Sequence, residues 1–121
     1  MRITTRGVRP EGDGWIIRWT IANEGDEPLR IVRAMAPHRR FRGDEREVAI
    51  DIPAAGESEL TLSVHVDHSG DDVESASLIL DVRSGGLDWR VAAGLRVRIA
   101  DGMPQPRTEH IDVQEAGVTD S

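Results

Sequence analysis

The chain has no cysteine, no lysine and no tyrosine, and a single phenylalanine. Without cysteine there is no disulfide framework, no thiolate metal site and no thiol nucleophile, so packing and hydrogen bonds must hold the fold together under either redox condition. No stretch approaches the roughly 18 apolar residues of a membrane-spanning helix, and the start, "MRITTRGVRP", carries charge with no apolar run behind it. That pattern reads as a cytoplasmic protein without a membrane partner. The absence of lysine makes all 15 positive charges arginine.

The charge is unevenly divided. Residues 1–50 hold ten arginines and eight acids, whereas residues 51–121 hold five arginines and fourteen acids, within a formal net charge of -7. An acidic second half argues against nucleic acid as a partner, because backbone binding needs a basic face that releases counterions. A length of 121 residues is the usual size of one domain, and such a chain buries roughly two-thirds of its unfolded surface.

Apolar residues alternate with polar ones in five runs: Trp15 to Ile21, Val48 to Ile52, Leu60 to Val66, Leu78 to Val82, and Leu87 to Ile99. A period of two is the signature of a half-buried strand. The last run exceeds an ordinary strand, which predicts a bend or bulge near "AAG" at Gly94. Glycine-rich and acidic turns such as "EGDG", "NEGDEP", "PAAGES" and "RSGG" separate the runs, and no window carries a helical stripe. The expected fold is therefore all-β, an antiparallel β-sandwich of about seven strands over residues 1–101. Residues 102–121 read as an acidic C-terminal tail, from which Thr108 to Gln114 can add one edge strand to this sheet or to a neighbour's.

Catalytic and cofactor signatures are sparse. "GESEL" lacks the second glycine of a nucleophile elbow, and there is no phosphate loop, dinucleotide fingerprint or zinc-protease motif. The expectation is a non-enzyme that needs no cofactor or metal. His65 and His68, with Asp67, Asp71, Asp72 and Glu74 nearby, are the nearest approach to a metal cluster, but i and i+3 on a strand point to opposite faces. A metal enzyme would need His38 or His110 to converge on them. Trp15, Trp19 and Trp89 share the parity of their aliphatic neighbours, so they read as core rather than as a sugar-stacking platform.

The segment "APHRRFR" concentrates Arg39, Arg40 and Arg42 around Phe41. Phe41 is expected to turn inward while the arginines form a local cationic contact surface, with Asp44, Glu45 and Glu47 close enough to neutralise it. A second arginine face is expected on the long late strand, where Arg90, Arg96 and Arg98 flank Ala92 and Gly94 and leave a flat strip for another chain. These seven residues are the candidate protein-binding set, with a second copy of the chain among the partners.

The positions Asn23 and Gly25 ending a strand, Pro28-Leu29 opening the next, and Pro53, Gly56, Glu57 and Ser58 in a turn resemble the turn grammar of bacterial immunoglobulin-like modules, including the Hydin-type group. That resemblance covers roughly residues 14–100. It implies an immunoglobulin-like sandwich acting as a non-catalytic interaction or structural module. A carbohydrate- or small-ligand-binding sandwich is the alternative.

Overall fold

A computed structural model describes residues 1–67 and 72–116. Eight strands follow in chain order: β1 (Arg2–Glu11), β2 (Gly14–Ala22), β3 (Leu29–His38), β4 (Phe41–Ile52), β5 (Glu57–Val66), β6 (Val73–Ser84), β7 (Leu87–Ala100) and β8 (Met103–Ala116). All pairings are antiparallel and the strands form one sheet in the order β1-β2-β5-β4-β3-β6-β7-β8. The sheet curls through 251° about its axis, close to a barrel but short of closure.

This arrangement corrects the immunoglobulin-like, seven-strand sandwich expected from the turn pattern. The alternation was read as two stacked layers, but β4 joins what would have been those layers. Its first residues pair with the end of β5, Phe41 with Val66 and Arg42 with His65, while on its other side β4 pairs with β3 from Phe41 to Ile52. Backbone hydrogen bonding is thus continuous from β1 to β8, and the apolar face wraps around a single interior. Gly43 permits the join: a Cβ there would lie 2.9 Å from Leu62 Cδ2 and 3.0 Å from the Ser63 carbonyl oxygen, closer than side chains tolerate in a packed interior.

The interior is built by the expected parity. Ile17, Trp19 and Ile21 of β2, Leu60, Leu62 and Val64 of β5, and Leu78, Leu80 and Val82 of β6 are all buried. So are Val91, Ala93, Leu95 and Val97 of β7. Each fully buried Leu, Ile or Val contributes about 1.5–3 kcal/mol, which is ample reason for this face to turn inward.

Strand β7 is 14 residues long. The expected irregularity falls at its glycine: Gly94 pairs with His110 but Leu95 with Thr108, so β8 carries one extra residue there. The segment beyond residue 101 is strand up to Ala116 and pairs with β7 throughout. Asp101 and Gly102 both have positive φ, 55° and 73°, the two-residue hairpin geometry that Asp-Gly favours.

The outer strands approach one another without joining. Eight alternating strands leave β1 and β8 antiparallel, so nothing in the topology forbids a final ladder. A side-chain bond spans the gap, from Thr5 Oγ1 to the Pro106 carbonyl oxygen at 2.8 Å. That bond shows which way the Pro106 peptide faces. Pro104 has the same parity, so the edge β8 turns toward β1 lacks amide donors at both positions. Proline on an edge strand is a common block to further pairing. A bulge in β1 between Thr5 and Gly7 disturbs the opposite edge at the same level.

Candidate functional site

The expected arginine set is divided by the fold. Arg39 and Arg40 form the two-residue turn of the β3–β4 hairpin, closed by the pair His38 with Phe41. The Arg40 amide donates to His38 Nδ1 at 3.1 Å. Phe41 is completely buried and anchors the hairpin. Of the acids proposed to neutralise the cluster, Glu45 pairs instead with Arg33, at 3.5 Å. Among the described residues Arg39 and Arg42 have no ion pair. Arg42 lines a small polar cleft of about 270 Å³ with Asp13, Trp15, Asp44 and His65.

The other three arginines lie along β7. Arg90 donates to Asp81 at 3.0 Å, and Arg33 reaches the other oxygen of the same carboxylate at 3.1 Å. The Asp81 bond and charge raise the Arg90 pKa. Arg96 pairs with Glu74 and Glu109, whereas Arg98 has no ion pair among the described residues. Arg90 stands near the β6–β7 turn, and Arg98 near the β7–β8 turn at the opposite end, beside the β3–β4 hairpin end of the barrel. The strip between them is not open: the His110 imidazole occupies the space a Cβ on Gly94 would need.

His68 and Asp71 of the considered metal cluster lie outside the described residues. Among the described residues no group of three or more His, Cys, Asp or Glu side chains is arranged to hold a metal. Asp72 Oδ1 accepts the Ile99 amide at 3.0 Å. Among the described residues no helix is long and apolar enough to cross a membrane.

One concavity was not singled out by the sequence. At the end of the barrel carrying the β2–β3 and β6–β7 connections, bordered by Met1 ahead of β1 and by Val113 of β8, lies a cavity of about 400 Å³. Its walls are Met1, Leu29, Val82, Leu87, Trp89, Val91 and Val113. Leu87 is 45% exposed and Val113 53% exposed, high for residues of this kind on the inward parity. The Trp89 ring is held by a bond from Nε1 to the Ser84 carbonyl oxygen at 3.4 Å.

Asn23 fixes the mouth. Its Nδ2 donates to the carbonyl oxygens of Glu27 and Pro53 at 2.8 and 3.2 Å, and its Oδ1 accepts the Gly25 amide at 3.0 Å. One buried side chain therefore ties the β2–β3 loop to the β4–β5 turn, so the mouth is preorganised. Asp26 and Glu27 form its acidic rim. Across Leu29, Ser84 and Gly85 lies a second cavity of about 430 Å³ that also contains Arg30, Asp51 and Arg83. Arg30 grips Asp51 with two bonds, 2.7 and 3.0 Å. That grip raises the Arg30 pKa and lowers that of Asp51, with the hydrogen bonds the largest cause in both.

Leu87 and Trp89 were assigned to the core by parity, and Val113 to an acidic tail. The available signal was position: large apolar residues next to the Gly85-Gly86 turn, where an inward face runs out of opposing strands.

Fold and site together define an all-β, barrel-like domain with an apolar pocket at one mouth. Comparison of the chain with protein-family profiles, curated proteins and solved structures returned no match in any of the three.

Proposed function

We propose that this domain is a non-catalytic small-ligand-binding barrel whose site is the cavity at the end carrying the β2–β3 and β6–β7 connections. The observation that carries this reading is the cavity's composition: about 400 Å³, walled by aliphatic side chains and Trp89, with Asn23, Asp26, Glu27 and Ser84 as the polar groups at its mouth. Size and lining match the general character of small-molecule sites, which favour barrel mouths. The ligand's body is apolar and short. Titration with 1-octanol, followed by tryptophan fluorescence and thermal midpoint, tests the proposal. A saturable change lost in Trp89→Ala supports it, and no saturable change in the unaltered chain overturns it.

The unsealed seam favours a second reading, binding of a protein strand from another copy. β1 and β8 each have a strand neighbour on one side only, and exposed edges offer amide and carbonyl groups to an incoming strand. Light scattering across a hundredfold range of protein concentration decides it. A monomer at every concentration removes self-association.

A further inference from the structure

The outward face of the sheet carries two rows of charges running across β4, β3, β6 and β7. In one row Glu47, Arg33, Asp81 and Arg90 are Cα partners in succession, and the signs alternate. In the other the succession is Asp51, Arg30, Arg83 and Asp88. Here two arginines are direct cross-strand Cα partners, like charges in an arrangement that destabilises a strand pair, and each turns its guanidinium to a carboxylate on the outer strand.

This like-charge pair lines the cavity that adjoins the proposed ligand pocket through Leu29, Ser84 and Gly85. Neither arginine is saturated by its carboxylate. Arg30 uses Nε and Nη2 on Asp51, and Arg83 uses Nε on Asp88 at 2.9 Å. A guanidinium has five N–H donors, so both retain donors, and their side chains are 53% and 63% exposed. Asp26 and Glu27 have no ion pair among the described residues, and Glu27 Oε1 stands beside Gly85, 3.0 Å from where a Cβ there would lie.

We propose that Arg30 and Arg83 form the oxyanion subsite of this pocket, so that the ligand is an amphipathic molecule with a short apolar body and a terminal carboxylate or phosphate. The inference rests on the ligand-pocket reading and sharpens it. Asp26 and Glu27 repel an anionic end from the apolar mouth itself, and Arg30 and Arg83 in the adjoining cavity attract it. Planar guanidinium groups suit either oxyanion through forked hydrogen bonds.

Calorimetric titration of the full chain with 1-octanol, octanoate and octyl phosphate separates the possibilities. Octanoate or octyl phosphate is expected to bind at least tenfold more tightly than octanol, and the tighter of the two identifies the head group. The advantage should shrink severalfold in 0.5 M NaCl, since exposed charges are screened. In Arg30→Gln/Arg83→Gln it should vanish while octanol affinity is unchanged. Arg98→Gln, which removes an arginine at the other end of the barrel, should leave all three affinities as they were. Because the substituted side chains are solvent-exposed, an unchanged circular dichroism spectrum is expected. Equal affinity for all three probes, or a preference that survives in the double variant, overturns the oxyanion subsite and leaves the pocket standing. If none of the three binds, the pocket reading falls and this inference with it.

Discussion

Trp19 and Trp89 occupy the same inward parity, yet one is completely enclosed and the other is half-buried beside a cavity. Trp19 sits mid-strand in β2, with β1 and β5 paired on either side. Trp89 sits near the start of β7, and its neighbour β8 has no strand beyond it at that level. Pattern alone puts both rings on the apolar face. Whether a ring is covered depends on how many strands converge over it, and at the seam end too few do. A barrel that stops short of closure therefore makes core at its centre and a pocket at its rim from the same sequence signal.

The largest expected effect tests this contrast directly. Trp19→Ala should cost about 3–5 kcal/mol, as removal of a fully buried aromatic does, whereas Trp89→Ala should cost about 1 kcal/mol because its ring is already partly in water. Chemical denaturation of the two variants measures the difference. Equal losses would mean that the rim is packed as tightly as the centre. The Trp19 indole N–H has no acceptor among the described residues, so Trp19→Phe should cost less than its lost volume suggests.

Next comes Gly94→Ala, which forces the exposed His110 ring to swing off the β7–β8 bulge at a cost of about 0.5–1.5 kcal/mol. Pairing it with His110→Ala should recover much of that loss, because residues in contact are not additive. Thermal midpoints of the two single variants and the double variant give the coupling.

At the seam, Thr5→Val removes the side-chain bond to Pro106 and should cost about 0.5–1.5 kcal/mol. The change should appear as faster amide exchange confined to β1 and β8, with the β3–β6–β7 ladder untouched. Uniform acceleration would mean that the seam opens only with global unfolding.

The smallest effect belongs to the exposed Arg30–Asp51 pair. Asp51 has a lowered folded pKa, so its contribution is present above the ordinary aspartate value and is lost as the pH falls through the lower folded one. Asp51→Asn should flatten the acid limb of the stability curve slightly and leave the alkaline limb unchanged.

Much of the fold was legible because burial of alternate side chains is a local, periodic signal. The strands from Trp15, Leu60, Leu78 and Leu87 and the irregularity at Gly94 follow from it, and so does the inward turn of Phe41. β1 was not legible, since "RITTRGVRPE" has few apolar residues and buries only Ile3 completely. β8 was legible in part, as the edge strand expected over Thr108 to Gln114, while charge and prolines hid its first half, although Asp101-Gly102 is a strong hairpin signal. The pocket was harder to read for a different reason: its walls come from strands distant in sequence, and alternation puts Trp89 on the same face as Trp19, leaving only its place next to the Gly85-Gly86 turn as a local difference.

Composition and periodicity by themselves determined that this chain is all-β, disulfide-free and built on one apolar face. Tertiary structure alone decided that the face closes around a single interior instead of meeting a second sheet, because an alternating strand specifies which side turns inward but not the curvature of its neighbours. That choice rests on the Gly43 approach between β4 and β5 and on prolines that deny β8 a last partner. It is also what leaves the pocket at the seam.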